Sequence, residues 1–172
     1  NGTDFNRFPD HNVLQLNDTH PVVAILEFIR LLTKKYKVKF IDAFSIARRS
    51  FNYTNHTIMP EALEKWDTGL IKEILPAHLK LVKKINKMLK RELASNGIKG
   101  SAQSDYLIIT DGNVHMARLA IYMSNHVNGV AAIHTEILRK STFAGWWKLY
   151  PDKLQNKTNG ITQRRWLGLC NI

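Results

Sequence analysis

Apolar residues recur along the chain at helical spacing. Val22, Ile25, Leu26, Ile29 and Leu32 lie three and four apart, which places them on one face of an α-helix. Pro21 suits its first turn, where a missing N–H costs nothing. A second helix is expected over 39–50, and another from Pro60-Glu61, with acidic side chains near its positive end. Thr68 and Pro76 mark restarts. Beyond them Leu79, Val82, Ile85, Met88 or Leu89, and Leu93 make a long stripe that stops at Asn96-Gly97. Residues 98–105 read as a polar linker within the domain. Residues 113–121, 130–139 and 162–169 read as further helices.

Four short apolar or β-prone segments interrupt these helices, at 13–16, 51–54, 121–124 and 154–158. Each runs into a polar cluster: Asn17-Asp18-Thr19-His20, Asn55-His56-Thr57, Asn125-His126 with Asn128-Gly129, and Asn159-Gly160. Short strands alternating with helices predict an α/β fold, the helix-rich part of a doubly wound parallel-sheet domain. In such sheets ligands bind beyond the carboxyl ends of strands, where these clusters fall. If all four strands share one sheet, the clusters converge on one cleft.

Composition narrows the function classes. Hydrophobic residues make up 44% of 172, enough for one domain with a core and too many for a disordered tail. Charged side chains interrupt every apolar run before it could cross a bilayer. Asn1-Gly2-Thr3-Asp4 lacks the apolar stretch of a signal peptide, so the five N-x-T triplets, at Asn1, Asn17, Asn52, Asn55 and Asn156, read as polar turns rather than glycan acceptors. The single cysteine, Cys170, can form no internal disulfide and fits a reducing, cytoplasmic compartment. Net charge is +11, but much of the excess sits at Lys80, Lys83, Lys84, Lys87, Lys90 and Arg91, mainly between the apolar positions of the long helix. That is the solvated face of an amphipathic helix. No aromatic residues interleave there, so a nucleic-acid platform has little support.

The clusters hold amides, hydroxyls, imidazoles and one carboxylate, Asp18. Amides and hydroxyls donate and accept, as sugar hydroxyls do. Each residue taken singly reads first as a turn closer or helix cap; four clusters together bring a polar ligand level with that reading. No H-E-x-x-H or cysteine pair supports zinc, no glycine-rich phosphate cradle occurs, and there is no G-x-S-x-G elbow. Glu61 and Glu64 are explained by the helix start. Trp66, Trp146, Trp147 and Trp166 read first as core.

At these same clusters the sequence resembles the glycogen/starch phosphorylase family. The matching stretches are QLNDTHP (15–21), YTNHTIMPEALEKW (53–66), HVNGVAAIH (126–134) and PDKLQNKTNGIT-RRW (151–166), with FPD (8–10) and LPAHL (75–79). Their order and spacing agree over most of the chain. The match loosens over 98–111, and Gln163 stands where the family usually has Pro, which bears on the start of the last helix.

The resemblance implies an α-1,4-glucan phosphorylase of glycosyltransferase-B architecture, which passes a terminal glucose to inorganic phosphate with pyridoxal phosphate as cofactor. It implies that Asp18 and His20 line the catalytic cleft. His56, through its backbone carbonyl, and Asn159 would bind the glucose hydroxymethyl, and the Val127 backbone would pack on the sugar. The lysine and basic residues that hold cofactor and phosphate lie in the family's C-terminal domain, and nothing here resembles their motifs. Residues 1–172 are therefore expected to be one internal piece, the end of the N-terminal domain, stopping where the cofactor domain begins and inactive alone. The parent is expected to be a cytoplasmic homodimer with no membrane or nucleic-acid partner. A non-catalytic carbohydrate-binding module and a basic nucleic-acid-binding domain are the competing readings.

Overall fold

The computed structural model describes residues 4–170, so the triplet at Asn1 lies outside the described residues. A 3-10 turn (Phe5–Arg7) and one turn of helix, α1 (Phe8–His11), lead into β1 (Leu14–Asn17). Helices α2 (Val23–Lys34) and α3 (Phe40–Ser50) return the chain to β2 (Phe51–Thr54). A 3-10 turn (Pro60–Ala62) precedes β3 (Lys65–Asp67), α4 (Thr68–Ile74) and the long α5 (Pro76–Ser95). A 3-10 turn (Gly100–Gln103), β4 (Ile109–Thr110), β5 (Asn113–His115) and α6 (Met116–Met123) follow. The chain ends through β6 (Val127–Gly129), α7 (Ala132–Ile137), a π-helical turn (Leu138–Thr142), α8 (Ala144–Leu149), β7 (Leu154–Asn156) and α9 (Gln163–Leu169).

The strands β1, β2, β6 and β7 form a parallel sheet in that spatial order, so the fold is α/β as expected. Asn17 stands beside Thr54, Thr54 beside Asn128, and Asn128 beside Gln155. Strand order follows chain order throughout; the reversal that makes a sheet doubly wound does not occur among the described residues.

The helical stripes are the buried faces. Ile25, Leu26, Ile29 and Leu32 of α2 turn inward, with Val22 just before it. Burying each such side chain stabilises by about 1.5–3 kcal/mol. On α5 the inward residues are His78, Leu79, Val82, Ile85, Leu89 and Leu93, while the intervening lysines are exposed. At the Met88–Leu89 choice, Leu89 is fully buried and Met88 only packs against the core. Glu92 ties the layers together: it accepts from Tyr122 Oη at 2.8 Å and Tyr150 Oη at 2.6 Å, and pairs with Arg48 at 3.5 Å.

Several expectations are corrected. The expected strand at 121–124 is the last turn of α6, and the helix expected over 113–121 begins only at Met116, after β5. Residues 116–123 are almost wholly buried, and an apolar run of that kind reads as strand or helix alike. The third strand of the parallel sheet, β6, begins six residues later. No α-helix starts at Pro60; that segment makes a single 3-10 turn and then β3, because Ala62, Leu63 and Trp66 give too little apolar surface for a helical stripe. A second sheet, antiparallel in the order β3-β5-β4, was not foreseen at all. Residues 98–105 are pinned rather than loose: Gln103, 4% exposed, donates to the carbonyls of Lys90 at 3.1 Å and Ile98 at 2.9 Å. The last helix starts at Gln163 itself, the position where Pro would have been accepted. Trp146 is buried and Trp66 packs against the core; Trp147 and Trp166 are exposed.

Candidate functional site

The carboxyl ends of β1, β2, β6 and β7 lie along one edge of the parallel sheet, in register. Along that edge the side chains are knitted across strands. Gln15 Nε2 donates to Thr54 Oγ1 at 2.8 Å, and Thr54 Oγ1 donates to Asn128 Oδ1 at 2.8 Å. Beyond β7, Thr135 Oγ1 donates to Asn156 Oδ1 at 2.9 Å, and Asn156 Nδ2 to Thr158 Oγ1 at 3.0 Å. These groups fix the edge.

Asp18 leaves β1 with φ of 66°, a left-handed conformation that Asp tolerates better than most residues. Its carboxylate accepts the Thr19 amide at 2.7 Å, and its own amide donates to the Thr54 carbonyl at 2.9 Å. This turn buries Thr19 and swings His20 outward, its side chain 77% exposed. Both residues reach one partner, Glu64: Thr19 Oγ1 donates to one carboxylate oxygen, and His20 Nδ1 lies 3.4 Å from the other. Glu64 had been assigned to a helix start, and it is the acid the sequence reading missed. The signal lies in the segment's composition: Ala62, Leu63 and Trp66 are the apolar residues between Pro60 and Asp67, too little for a helix to bury a face.

After β2, Asn55 is wholly buried and structural, donating to Tyr53 Oη at 2.9 Å and accepting the Thr57 amide at 3.1 Å. Burial pushes the Tyr53 phenol up, with the charges of Asp18 and Glu64 adding to the effect. His56, next in line, is exposed, and its Nε2 meets Asn17 Oδ1 of the neighbouring strand end. The bond requires the proton on Nε2.

Val127 is 1% exposed inside β6, and its amide donates to the Lys153 carbonyl at 2.9 Å. Asn125 and His126 fall at the other end of the sheet, where the Asn125 amide donates to the Phe51 carbonyl at 2.7 Å. The VNG segment ends in Gly129 for a steric reason: a Cβ there would lie 2.4 Å from Thr135 Oγ1 and 3.1 Å from its Cα. Asn159 is exposed past β7, held by its backbone amide on the Val130 carbonyl at 2.9 Å. Between them, His134 Nδ1 accepts the Val130 amide at 3.1 Å while its buried Nε2 has no partner among the described residues.

Behind Glu64 a recess of about 410 Å³ is lined by Lys65, Tyr106, His115, Arg118 and Trp146, among others. Burial, then the positive charges of Arg118 and Lys65, lowers the His115 imidazole to about 4. Among the described residues no group of three or more His, Cys, Asp or Glu side chains is placed to hold a metal.

The edge thus gathers Asp18, His20, His56 and Asn159, with Glu64 added, at one end of a parallel sheet. The sequence model for carbohydrate phosphorylases matches residues 1–172 in full. The chain belongs to that family. It is 44% identical to the brain form of glycogen phosphorylase from Bos taurus over 98% of its own length. It is 44% identical to the muscle form from Homo sapiens, likewise over 98%, and 45% identical to the human liver form over 99%. In each case it spans 20% of the relative's length.

Proposed function

We propose that this chain carries part of the donor-sugar site of an α-1,4-glucan phosphorylase, which transfers a terminal glucose from glucan to inorganic phosphate and releases glucose 1-phosphate. The observation that carries the reading is the delivery of Asp18, His20, His56 and Asn159, from three strand ends, to one edge of a sheet in a phosphorylase-family chain. Asn159 and the His56 carbonyl serve the glucose hydroxymethyl, Asp18 and His20 line the reacting side, and the Val127 backbone backs the sugar. Glu64 holds the Asp18–His20 turn in place. In the glycosyltransferase-B arrangement this edge would face a second doubly wound domain across the cleft.

The residues at the donor-sugar edge do not fit pyridoxal phosphate. The lysine whose amine is most perturbed, Lys153, sits just before β7, at the opposite end of the sheet, and its Nζ donates to the Ile121 carbonyl at 3.0 Å. We place the cofactor on residues outside this chain and expect the chain alone to be inactive. The parent acts in the cytoplasm as a homodimer; the exposed, unpaired Cys170 suits a reducing compartment. The test is an assay of the full-length protein and of this chain alone with glucan and phosphate. The full-length protein should yield glucose 1-phosphate, and the chain alone neither product nor a bound-cofactor absorbance band. Release of free glucose only, or cofactor on the isolated chain, refutes the proposal.

A further inference from the structure

The far end of the parallel sheet, where β2 begins and where the chain enters β6 and β7, carries a recess of about 440 Å³. Phe44, Arg48 and Arg49 of α3 form one side, and Ser124, Asn125 and Lys153 the other. The wall carries three basic side chains, Arg48, Arg49 and Lys153. Arg48 pairs with Glu92 at 3.5 Å, a carboxylate that also accepts from the Tyr122 and Tyr150 hydroxyls. Arg49 lies 3.5 Å from Asp10 and also donates to the Asn6 carbonyl at 2.9 Å. Lys153 rests on the Tyr150 ring and on the Ile121 carbonyl, and no carboxylate pairs with it among the described residues. Burial, then the charge of Arg48, lowers its amine to about 7.

Ser124 supplies an independent observation. It is 1% exposed, and its Oγ has no hydrogen-bond partner among the described residues. A buried hydroxyl without a partner is a cost that folds ordinarily avoid, and one that a ligand would remove. One cation without a carboxylate partner, Lys153, standing with Arg48 beside an idle donor, matches the needs of a phosphoryl group, which offers charge and several acceptor oxygens. Phe44 and Ile41 give the mouth an apolar side suited to the body of an ester.

We propose that this recess binds a small phosphate ester, its phosphoryl oxygens on Arg48, Lys153 and Ser124 Oγ and its body against Phe44 and Ile41. The site is independent of the donor-sugar reading, since it lies at the other end of the sheet. An amine lowered to about 7 is reactive at neutral pH. The rate of Lys153 acetylation by acetic anhydride in the full-length protein, read on its own peptide by mass spectrometry, therefore reports this site alone. Inorganic phosphate should slow the labelling of Lys153, and glycerol 3-phosphate should do so at lower concentration. Chloride at matched ionic strength should not.

Ser124→Ala should raise the concentration needed for half-protection about tenfold, the loss of one hydrogen bond to a charged group. In anion-free buffer the same variant should melt no lower than the wild type, because the hydroxyl it removes has no partner. Equal labelling rates in phosphate and chloride would overturn the site. An unchanged half-protection concentration in Ser124→Ala would remove the serine from it. Equal potency of phosphate and ester would remove the apolar wall, and with it the choice of an ester over the free ion.

Discussion

Replacing Glu64 by alanine removes the carboxylate that takes the hydroxyl of Thr19, a residue 1% exposed in the fold. A buried hydroxyl stripped of its acceptor costs about 1–3 kcal/mol. The His20 contact adds little to this, because that side chain is 77% exposed and solvent screens the pair. Glu64→Ala should therefore destabilise by about 1–3 kcal/mol, nearly all of it through Thr19. Thr19→Val removes the hydroxyl and keeps the shape, so the double variant should be scarcely worse than Glu64→Ala alone. The cycle should close with a coupling of about 1–2 kcal/mol. Glu64→Gln retains an acceptor and should fall between wild type and alanine. Urea unfolding of the four proteins at neutral pH measures each leg. Strictly additive losses would show that Glu64 and Thr19 act separately, and the account of the β1 turn would fail.

On the donor-site proposal, Asn159→Ala in the full-length protein should lower kcat/KM on glucan by a factor equivalent to about 1–3 kcal/mol, and by less on a donor lacking the 6-hydroxyl. An equal penalty on both donors would leave Asn159 a turn residue only. Gly129→Ala should lower the melting temperature, because its Cβ must displace Thr135 Oγ1 from 2.4 Å and break that hydroxyl's bond to Asn156; the cost is about 1–3 kcal/mol, and Thr135→Ser should not relieve it. His115 stays neutral down to about 4 in the fold, against 6.5 when unfolded. The unfolded chain binds the extra proton between those values, so stability is full above 6.5 and falls as pH drops toward 4. The slope from this residue is at most about 1.4 kcal/mol per pH unit. Acid titration of the unfolding midpoint should show it, and His115→Asn should flatten it.

The parts of the fold that were legible are those with a long period. The α2 and α5 stripes were readable because five or six apolar residues repeat on one face, and β2 because Phe51 and Tyr53 alternate inward. The rest failed for want of length. Strand β6 holds one apolar residue, Val127, and was eclipsed by the stronger apolar run of 121–123, which belongs to α6. Strands β3, β4 and β5 are two or three residues each, too short to show alternation. The candidate site was legible where Asn, Asp and His follow a strand, as at Asp18 and His56. Glu64 was not, because its partners Thr19 and His20 come from more than forty residues earlier in the chain, a contact no local pattern encodes.

Strand order that follows chain order has a consequence for how this domain assembles. Each strand of the parallel sheet can dock on an edge already laid down, so β1, α2, α3 and β2 can form before β6 exists. The return from β2 to β6 spans roughly 70 residues against roughly 35 for β1 to β2, yet doubling a loop adds only about 0.6 kcal/mol of closure cost. The excursion that carries α4, α5 and the antiparallel sheet can therefore lengthen or shorten at its exposed turns with little thermodynamic effect. Its delay falls on the rate at which Val127 finds Tyr53, and a circular permutant that shortens that search should fold faster while keeping the same sheet.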